Sequence, residues 1–331
     1  MADDSTRRPS DARWFIVGGG GFIGSHFVTR LLDRGAQGVT VYDNFTSGRR
    51  WYLAGHVEDP RLRVVEGDVH ELARLTSAMQ DHDVVIHLAS NPDIARAATE
   101  PGVDFHEGTV LTFNVVEAMR VSGVRQILYA SGSGVYGELG DLEATEDHGP
   151  MIPVSTYGAS KLAGEALIAS YCAMFDFRGC AFRFGNVVGP RQTHGVGLDF
   201  LRRLLADPAN LRILGDGKQS KSYIHIEDVM DAVLAAQSAD TTGFMPYNVA
   251  TGDYITVTEI ADIAVACLGL PQGSSDYQYT GGDRGWKGDV PVVRLNTDRI
   301  RDLGWANTRT TAEAIRDSLA AMLPDLRAGQ L

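Results

Sequence analysis

Short apolar runs alternate with longer segments of helical periodicity through the first half of this 331-residue chain. The apolar runs predict strands at residues 14–17, 39–42, 62–65, 84–88 and 126–130, and the intervening segments predict helices at 22–34, 107–121 and 157–175. Strands that alternate with helices indicate a parallel sheet covered by helices on both faces. The nearly all-apolar run at 84–88 agrees, because it is typical of a strand buried on both sides. We therefore predict an α/β fold built on a doubly wound parallel sheet.

The first strand ends in a glycine-rich turn with the spacing Gly18-x-x-Gly21-x-x-Gly24, in which Phe22 and Ile23 begin the next helix. This spacing lets the backbone turn sharply, approach a pyrophosphate closely and pack a helix against the sheet. The free N–H groups and the dipole at the amino end of that helix favour anions. The turn predicts a dinucleotide site, and the alternative interpretation is a flexible turn without a ligand.

Polar and small residues at the ends of the following strands extend the predicted cofactor site. Asp43 lies 19 residues beyond Gly24, close to the separation of about 20 residues expected for a carboxylate that binds the adenosine ribose. Its charge would repel a 2′-phosphate, so NAD is favoured over NADP. Asp68 either accepts a hydrogen bond from the adenine amino group or caps a helix. The further cofactor-binding candidates are Asn44, Ser47, Gly48, Val69, Leu88, Ala89 and Ser90.

Composition narrows the class of protein. A hydrophobic content of 44% and a charged content of 22% are ordinary for a soluble enzyme. The net charge of −12 argues against nucleic-acid or anionic-membrane partners, which require a positive field. Three cysteines without metal-ligand spacing indicate reduced thiols, no metal site and a cytoplasmic location. Residues 1–13 are polar and lack the apolar core of a signal peptide, so we expect a mobile tail there.

Tyr157 and Lys161 are the strongest candidates for chemistry. Four residues apart on a predicted helix, their side chains lie on one face. Bringing a phenol from a pKa of about 10 to about 7 requires about 4 kcal/mol of preferential stabilisation of the phenolate. Lys161 and the positive ring of oxidised nicotinamide would supply that field. Tyr157 is thus predicted to take the proton of a substrate alcohol during hydride transfer, whereas an amphipathic surface pair is the alternative interpretation.

Eight segments of the chain resemble a known family in order and spacing. They are GGGGFIGSH (18–26), VYDNFTSG (41–48), GDV (67–69), HLAS (87–90), VYG (135–137), YGASK (157–161), RFGN (183–186) and GDGKQSKSYIHIED (215–228). With these segments the chain resembles the extended short-chain dehydrogenase/reductases, specifically nucleotide-sugar 4-epimerases of the UDP-glucose type. The resemblance implies a Rossmann-type NAD-binding domain, mainly residues 14–184, interleaved with a smaller α/β substrate-binding lobe, mainly 185–331. It also suggests a homodimer packed through the helices at 107–121 and 157–175.

The resemblance also implies residues for a nucleotide-sugar substrate. Asn186 would approach the diphosphate, and Lys221, Arg284 and Asp289 would approach the nucleotide. Lys221 replaces the arginine usual in the family, giving a point charge instead of a bidentate fork. From its chemistry, Arg191 either holds a carboxylate on the hexose, as in a uronic acid, or is structural.

One departure from the family concerns the catalytic hydroxyl. The family commonly has Ser or Thr four residues before the tyrosine of VYG, where this chain has Gly132. Ser131 or Ser133 must then supply the hydroxyl, or the role is vacant.

These features together predict NAD-dependent epimerisation at C4 of a UDP-hexose through a transient 4-keto intermediate. The predicted pair is UDP-glucose/UDP-galactose or UDP-glucuronate/UDP-galacturonate. The alternatives are a UDP-glucuronate decarboxylase, a sugar-nucleotide 4,6-dehydratase and, from another class, an NAD-binding regulatory protein. Dehydration is disfavoured, because Ser133-Gly134 stands where dehydratases carry an Asp-Glu pair. A regulator is disfavoured because binding a dinucleotide requires neither Tyr157 nor Lys161.

Overall fold

A computed structural model describes residues 9–91, 94–239, 241–286 and 288–331. Its strands are β1 (Arg13–Val17), β2 (Gly38–Asp43), β3 (Leu62–Glu66), β4 (Val84–His87), β5 (Gln126–Gly132), β6 (Glu143–Ala144), β7 (Arg178–Phe184), β8 (Asn186–Val188), β9 (Asn210–Ile213), β10 (Ser220–Lys221), β11 (Tyr223–His225), β12 (Phe244–Val249), β13 (Ile255–Thr256), β14 (Asp276–Tyr279) and β15 (Arg294–Leu295). Its α-helices are α1 (Phe22–Asp33), α2 (Leu72–Met79), α3 (Leu111–Ser122), α4 (Thr156–Phe175), α5 (Val196–Ala206), α6 (Ile226–Ser238), α7 (Val257–Cys267), α8 (Asp298–Arg301) and α9 (Thr311–Arg327).

Seven parallel strands form the central sheet, in the order β12-β7-β5-β4-β1-β2-β3. Apolar side chains of α1 and α6 form a core on one face, and those of α2, α3 and α4 form a core on the other. The predicted doubly wound α/β fold is therefore confirmed. Because all seven strands are parallel, their carboxyl ends meet at one edge, where open α/β sheets bind ligands.

A smaller α/β unit packs beside this sheet. Helices α5, α7 and α9 share a third apolar core with β9, and β9 pairs in parallel with β14. The chain then returns to the central sheet, since α6 and β12 follow β9 in sequence but belong to the large sheet and its cover. The two units are thus interleaved along the chain.

Local signals account for several helix ends. Thr256 with Glu259 and Thr310 with Glu313 form capping boxes at the starts of α7 and α9, as their spacing predicts. Gly35, just after α1, has a φ of +79°, which suits a residue without a side chain. The helix predicted at 107–121 instead starts as a π-helical turn at Phe105–Val110 and continues as α3.

The predicted tail of residues 1–13 falls mostly outside the described residues. Where it is described, Pro9–Asp11 form a short 3₁₀ helix, Ala12 is buried and Arg13 starts β1. In the described part of the chain, none of the helices is both long and apolar enough to cross a bilayer. The same residues hold no group of three or more His, Cys, Asp or Glu side chains placed to bind a metal. The three cysteines are free.

Candidate active site

The glycine turn lies against the end of β4. The carbonyl oxygen of Val17 accepts hydrogen bonds from the N–H groups of Leu88, at 2.9 Å, and Ala89, at 3.1 Å. Gly18 has a φ of +83°, and a Cβ there would lie 2.8 Å from the amide nitrogen of Ala89. Only glycine fits this position. The turn and the residues after β4 therefore form one continuous wall at the carboxyl edge of the sheet.

Helix α1 starts directly from the turn with its amino end uncapped by a side chain. Its N-cap residue is Gly21, and Phe22 and Ile23 form the first turn. A Cβ on Gly24 would lie 2.4 Å from the carbonyl oxygen of Gly18, so glycine is required for the helix to pack this closely. The N–H groups of the first turn are left to bind an anion, and they fit a dinucleotide pyrophosphate.

Asp43, the last residue of β2, forms a hydrogen bond with the glycine turn. Its two carboxylate oxygens accept hydrogen bonds from the N–H groups of Gly20, at 2.8 Å, and Phe45, at 2.7 Å. Burial raises the pKa of Asp43, and these two hydrogen bonds oppose the rise. The Asp43 carboxylate therefore holds the glycine turn in place, and it lies where the ribose contact is predicted.

The predicted adenosine contacts lie around Asp43. Asn44 donates to Asp68 over 3.1 Å, while the other oxygen of Asp68 accepts from the N–H of His70 at 2.8 Å. The N-cap of α2 is Glu71, so the alternative role of Asp68 as the cap of that helix is wrong. Val69 and Gly48 are buried, and Ser47 is exposed. The adenosine contacts of all these residues stay predictions.

Tyr157 and Lys161 lie on one face of α4, as predicted from their spacing. The helix is capped by Ser155, whose hydroxyl accepts from the N–H of Gly158 at 3.1 Å. The Lys161 ammonium lies 5.5 Å from the centre of the Tyr157 ring and donates to the carbonyl oxygen of Ala130, at the end of β5, over 2.8 Å. This bond fixes the pair above the carboxyl edge of the sheet.

Burial is the main cause of the pKa shifts of Tyr157 and Lys161. Burial raises the pKa of Tyr157 to about 12; a hydrogen bond with Ser90 lowers it, and the charge of Asp104 raises it. Burial lowers the pKa of Lys161 to about 8, against the charges of Asp104 and Glu165, which raise it. The carboxylates of Asp104 and Glu165 therefore favour the charged form of Lys161. The predicted lowering of the phenol pKa concerns the site with oxidised nicotinamide and stays a prediction.

A buried ionic network lies beneath this pair. Glu165, one helical turn after Lys161, forms a salt bridge with Arg183 of β7 at 2.7 Å, and each side chain is 3% exposed. The Ser131 hydroxyl donates to Glu165 over 2.5 Å. Arg183 also donates to the hydroxyl of Tyr136, at 2.8 Å. The network joins α4 to β5 through Ser131 and to β7 through Arg183.

The geometry separates the candidates for the catalytic hydroxyl. Ser131 is buried and engaged by Glu165. Ser133 is half-buried in a 3₁₀ turn, Ser133–Tyr136. Gly132 has extended backbone, and a Cβ there would meet no atom within 4 Å. Ser131 is therefore occupied in the core and is a poor source of the missing hydroxyl.

Three of the predicted substrate-binding residues, Lys221, Arg284 and Asp289, contact one another near the start of α4. Lys221 forms a salt bridge with Asp289 at 2.5 Å, and Arg284 donates to the main-chain oxygen of Asp289 at 3.1 Å. Arg284 also donates to both carboxylate oxygens of Glu138, which follows the VYG segment. A Cβ on Gly288 would lie 3.4 Å from Ser155, so this cluster borders the start of α4.

Asn186 and Arg191 occupy different surroundings. Asn186 is exposed on β8, where its amide donates to the carbonyl oxygen of Ser222 at 3.4 Å. Arg191 donates to the carbonyl oxygen of Ser25 in α1, and its guanidinium lies 5.9 Å from the centre of the Tyr52 ring. Arg191 therefore packs on the dinucleotide side, and these contacts give no support to a bond with a sugar carboxylate.

Sequence reasoning missed four charged residues of this site. Asp104 is buried and accepts from Thr156, at 2.7 Å, at the start of α4. Glu165, Arg183 and Glu138 were not singled out either. For Glu165 a signal existed: it follows Lys161 by four residues, so both share a helix face in a mostly apolar helix. Arg183 stands in the RFGN segment, but no role was assigned to it. For Asp104 and Glu138, the contacts are long-range and no local pattern indicates them.

Comparison with known proteins decides the family. Residues 14–250 match the model of the NAD dependent epimerase/dehydratase family. The chain belongs to this family. It is 32% identical to the UDP-glucose 4-epimerase of Mycolicibacterium smegmatis (strain ATCC 700084 / mc(2)155), over 92% of this chain and 96% of that protein. Its fold matches a crystal structure of a UDP-galactose 4-epimerase with a TM-score of 0.84 and 36% identity, over 95% of this chain and 99% of that one.

A third relative was solved with the cofactor. This dTDP-glucose 4,6-dehydratase from Streptomyces venezuelae, with NAD bound, matches with a TM-score of 0.86 and 26% identity, over 96% of this chain and 98% of that one. The cofactor of the present family member is NAD. The residues present fit it: the uncapped amino end of α1 suits the pyrophosphate, and Asp43 stands beside the turn as the ribose contact requires.

Proposed function

We propose that this protein is a 4-epimerase of a UDP-linked hexose. The observation that carries the proposal is the Tyr157–Lys161 pair, fixed by the Ala130 carbonyl at the same sheet edge as the glycine turn. The names of two relatives, a UDP-glucose 4-epimerase and a UDP-galactose 4-epimerase, support a nucleotide-sugar substrate and C4 chemistry. Bound NAD supplies a hydride acceptor and donor.

The roles of the side chains follow from their surroundings. Tyr157, as phenolate, takes the proton of the C4 hydroxyl and later returns it, while Lys161 holds a positive charge next to the ring. Lys221 and Arg284 offer cationic donors to the nucleotide diphosphate in an acidic protein. Anchoring through the diphosphate leaves the hexose free to turn, so that either face of C4 can meet the cofactor.

Two other reactions are less well supported. A 4,6-dehydratase needs an acid and a base for loss of water, and this chain has Ser133-Gly134 where that pair would stand. A decarboxylase acting on UDP-glucuronate needs a partner for the carboxylate. Arg191, the predicted partner, contacts Ser25 and Tyr52 instead. Epimerisation needs neither the acid–base pair of a dehydratase nor a partner for a sugar carboxylate.

The proposal predicts a single product class from a substrate panel. The purified protein is incubated separately with UDP-glucose, UDP-galactose, UDP-N-acetylglucosamine and UDP-glucuronate, and the products are separated by chromatography. We expect the C4 epimer of at least one of these sugars without added NAD, because an enzyme that returns the hydride within each cycle keeps its cofactor. NAD released on denaturation should match the protein in amount.

Each alternative has its own signature in this panel. A stable 4-keto-6-deoxy sugar indicates dehydration, and a UDP-pentose indicates decarboxylation. Absence of any product, with NAD still bound, supports the regulatory protein. Each of these three results contradicts the epimerase proposal.

We also propose a homodimer packed through the helices of residues 105–122 and 156–175. Phe105, Phe113 and Val121 on the first and Met174 on the second are large apolar side chains left exposed, and such residues mark protein interfaces. Light scattering in solution should give twice the chain mass of 35.8 kDa. A monomer at micromolar concentration would contradict it.

A further inference from the structure

Asp104 is a buried carboxylate that connects two parts of the candidate active site. It is 1% exposed and lies directly before the π-helical segment Phe105–Val110. Its Oδ1 accepts a hydrogen bond from the side-chain amide of Asn91 at 2.9 Å, and its Oδ2 accepts one from the hydroxyl of Thr156 at 2.7 Å. The two donors come from opposite sides of the site.

The first of these parts is the wall formed by the glycine turn and the residues after β4. Leu88 and Ala89 belong to this wall, because their N–H groups donate to the carbonyl oxygen of Val17. Asn91 follows Ala89 by two residues and is 5% exposed. Its bond to Asp104 therefore starts from the segment that is predicted to contact the cofactor.

The second part is the first turn of α4. Thr156 is the first residue of this helix, and Tyr157 follows it. The π-helical segment after Asp104 packs directly on the helix, because a Cβ on Gly108 would lie 2.6 Å from the hydroxyl oxygen of Ser160. Such turns are rare and often occur at functional sites. The bond from Thr156 to Asp104 thus ties the start of α4 to this segment.

We infer that Asp104 is a positioning residue for Tyr157, which it holds at a fixed place relative to the wall after β4. The inference rests on the proposed function for the reaction, whereas the two hydrogen bonds are present in the chain alone. Proton and hydride transfer require base, substrate and cofactor in close register, and a misplacement of about 1 Å can cost about a hundred-fold in rate. One carboxylate with a donor on each side supplies that register.

The charge of Asp104 acts on the catalytic pair as well. Both of its hydrogen-bond donors, an amide and a hydroxyl, are uncharged. Its negative charge raises the pKa of Lys161 and also that of Tyr157. Asp104 therefore favours the ammonium and opposes the phenolate. Its position and its charge have separate consequences, which different substitutions can distinguish.

Three other titratable side chains surround the pair. Glu165 on α4 also raises the pKa of Lys161. Tyr129 on β5 lies next to the Lys161 ammonium, and burial raises the pKa of its phenol. Burial lowers the pKa of His87 on β4 to about 3, so this imidazole is uncharged at neutral pH. Among the described residues, Asp104 is thus the carboxylate that raises the pKa of both members of the pair.

Thr156→Val tests the positioning role without altering Asp104. Valine keeps the shape of threonine but cannot donate, and Thr156 is exposed, so the substitution opens no cavity. With the sugar that the panel identifies, we expect kcat to fall about ten-fold or more and KM to stay within about two-fold. Thr156→Ser keeps the hydroxyl and should retain most of kcat.

Thr308→Val is the matched control. Thr308 is also exposed, and its hydroxyl donates over the same 2.7 Å to Asp228, which is also 1% exposed. Asp228 lies on α6, which covers the face of the sheet opposite to α4. Urea denaturation should show similar losses of stability in the two valine variants. In Thr308→Val, however, kcat should stay within about two-fold.

Asp104→Asn separates the position from the charge. The new amide can accept from Asn91 and donate to Thr156, whose hydroxyl is also an acceptor, so kcat at its optimum should stay within about three-fold. The pKa of Tyr157 should fall, because a negative charge is removed. An ultraviolet titration of the NAD-loaded protein, with Tyr157→Phe as the background, measures it. The acid limb of kcat should move to lower pH, since the phenolate then forms at lower pH.

The outcomes also separate this inference from the proposed function. An unchanged kcat in Thr156→Val overturns the role of Asp104, and so does an equal loss of kcat in Thr308→Val. If the unmodified protein turns over none of the sugars, the epimerase proposal fails. Hydrogen–deuterium exchange then tests Asp104 without a substrate: Thr156→Val should speed exchange in the first turn of α4, and an unchanged rate there overturns the inference.

Discussion

Replacing Tyr157 by phenylalanine should lower kcat by about a hundred- to ten-thousand-fold, the usual contribution of a positioned proton-transfer group. The substitution removes one oxygen and keeps the ring, which lies 5.5 Å from the Lys161 ammonium. Binding of NAD should persist, because the glycine turn and Asp43 lie on other elements. The measurement is kcat with the sugar found in the panel, together with the NAD content of the purified variant.

The matched control for this experiment is Tyr277→Phe. The Tyr277 hydroxyl donates to the carboxylate of Asp262 at 2.8 Å, and Tyr277 lies on β14 in the smaller unit. Its loss should leave kcat within about two-fold, because a single exposed hydrogen bond contributes little. A Tyr157→Phe variant with kcat as high as this control would show that another group handles the proton.

The second large effect is on stability and concerns Glu165. Replacing Glu165 by alanine should lower the free energy of unfolding by about 3–5 kcal/mol, because it leaves Arg183 as a buried charge without its partner. Both side chains are 3% exposed, and the pair is 2.7 Å apart. Ser131 also loses its acceptor. Urea denaturation followed by circular dichroism measures the change.

An exposed ion pair provides the comparison. Glu100 lies 2.6 Å from Arg96, and the two side chains are 57% and 50% exposed. Glu100→Ala should cost less than about 1 kcal/mol. Replacing both buried partners, as in Glu165→Leu with Arg183→Met, should recover much of the stability lost in Glu165→Ala. Equal costs for Glu165→Ala and Glu100→Ala would mean that the buried network is not what joins α4 to β7.

The expected effects of the Tyr157 and Glu165 substitutions both depend on side chains of α4. The face of this helix that meets β5 and β7 carries Lys161 and Glu165 in successive turns. The negative charge of Glu165 raises the pKa of Lys161 against the effect of burial. The ion pair that stabilises the helix on the sheet therefore also helps to keep the ammonium charged beside Tyr157. Stability and chemistry depend here on one network.

Much of the fold could be predicted because its signals are local. The apolar runs of β1 to β5 lie within two residues of their predicted bounds. For β1, β2 and β4 the reason is burial on both faces, which needs consecutive apolar residues. The turn at Gly18 and the close packing at Gly24 require glycine for steric reasons, and that requirement is visible in the spacing alone. Tyr157 and Lys161 share a face because helical geometry fixes the relation of residues four apart.

The site could be predicted only in part, because its remaining contacts join residues far apart in the chain. Lys221 with Asp289, and Arg284 with Glu138, meet across 68 and 146 residues. The interpretation of Arg191 as a carboxylate partner followed from its chemistry, whereas its observed contacts are set by the packing of its loop on α1. Residue type indicates what a side chain can bind, but not which side of the fold it faces.

The sequence by itself determined the parallel α/β sheet, the NAD turn and the Tyr157–Lys161 pair, because each depends on short-range sterics or on the period of a helix. Only the tertiary structure separated the two hydroxyls that stand beside Gly132. Ser131 is buried and donates to Glu165, which pairs with Arg183 of the neighbouring strand β7, whereas Ser133 is half-buried in the turn after β5. That difference depends on which strands lie side by side, and strand order is a property of the assembled sheet.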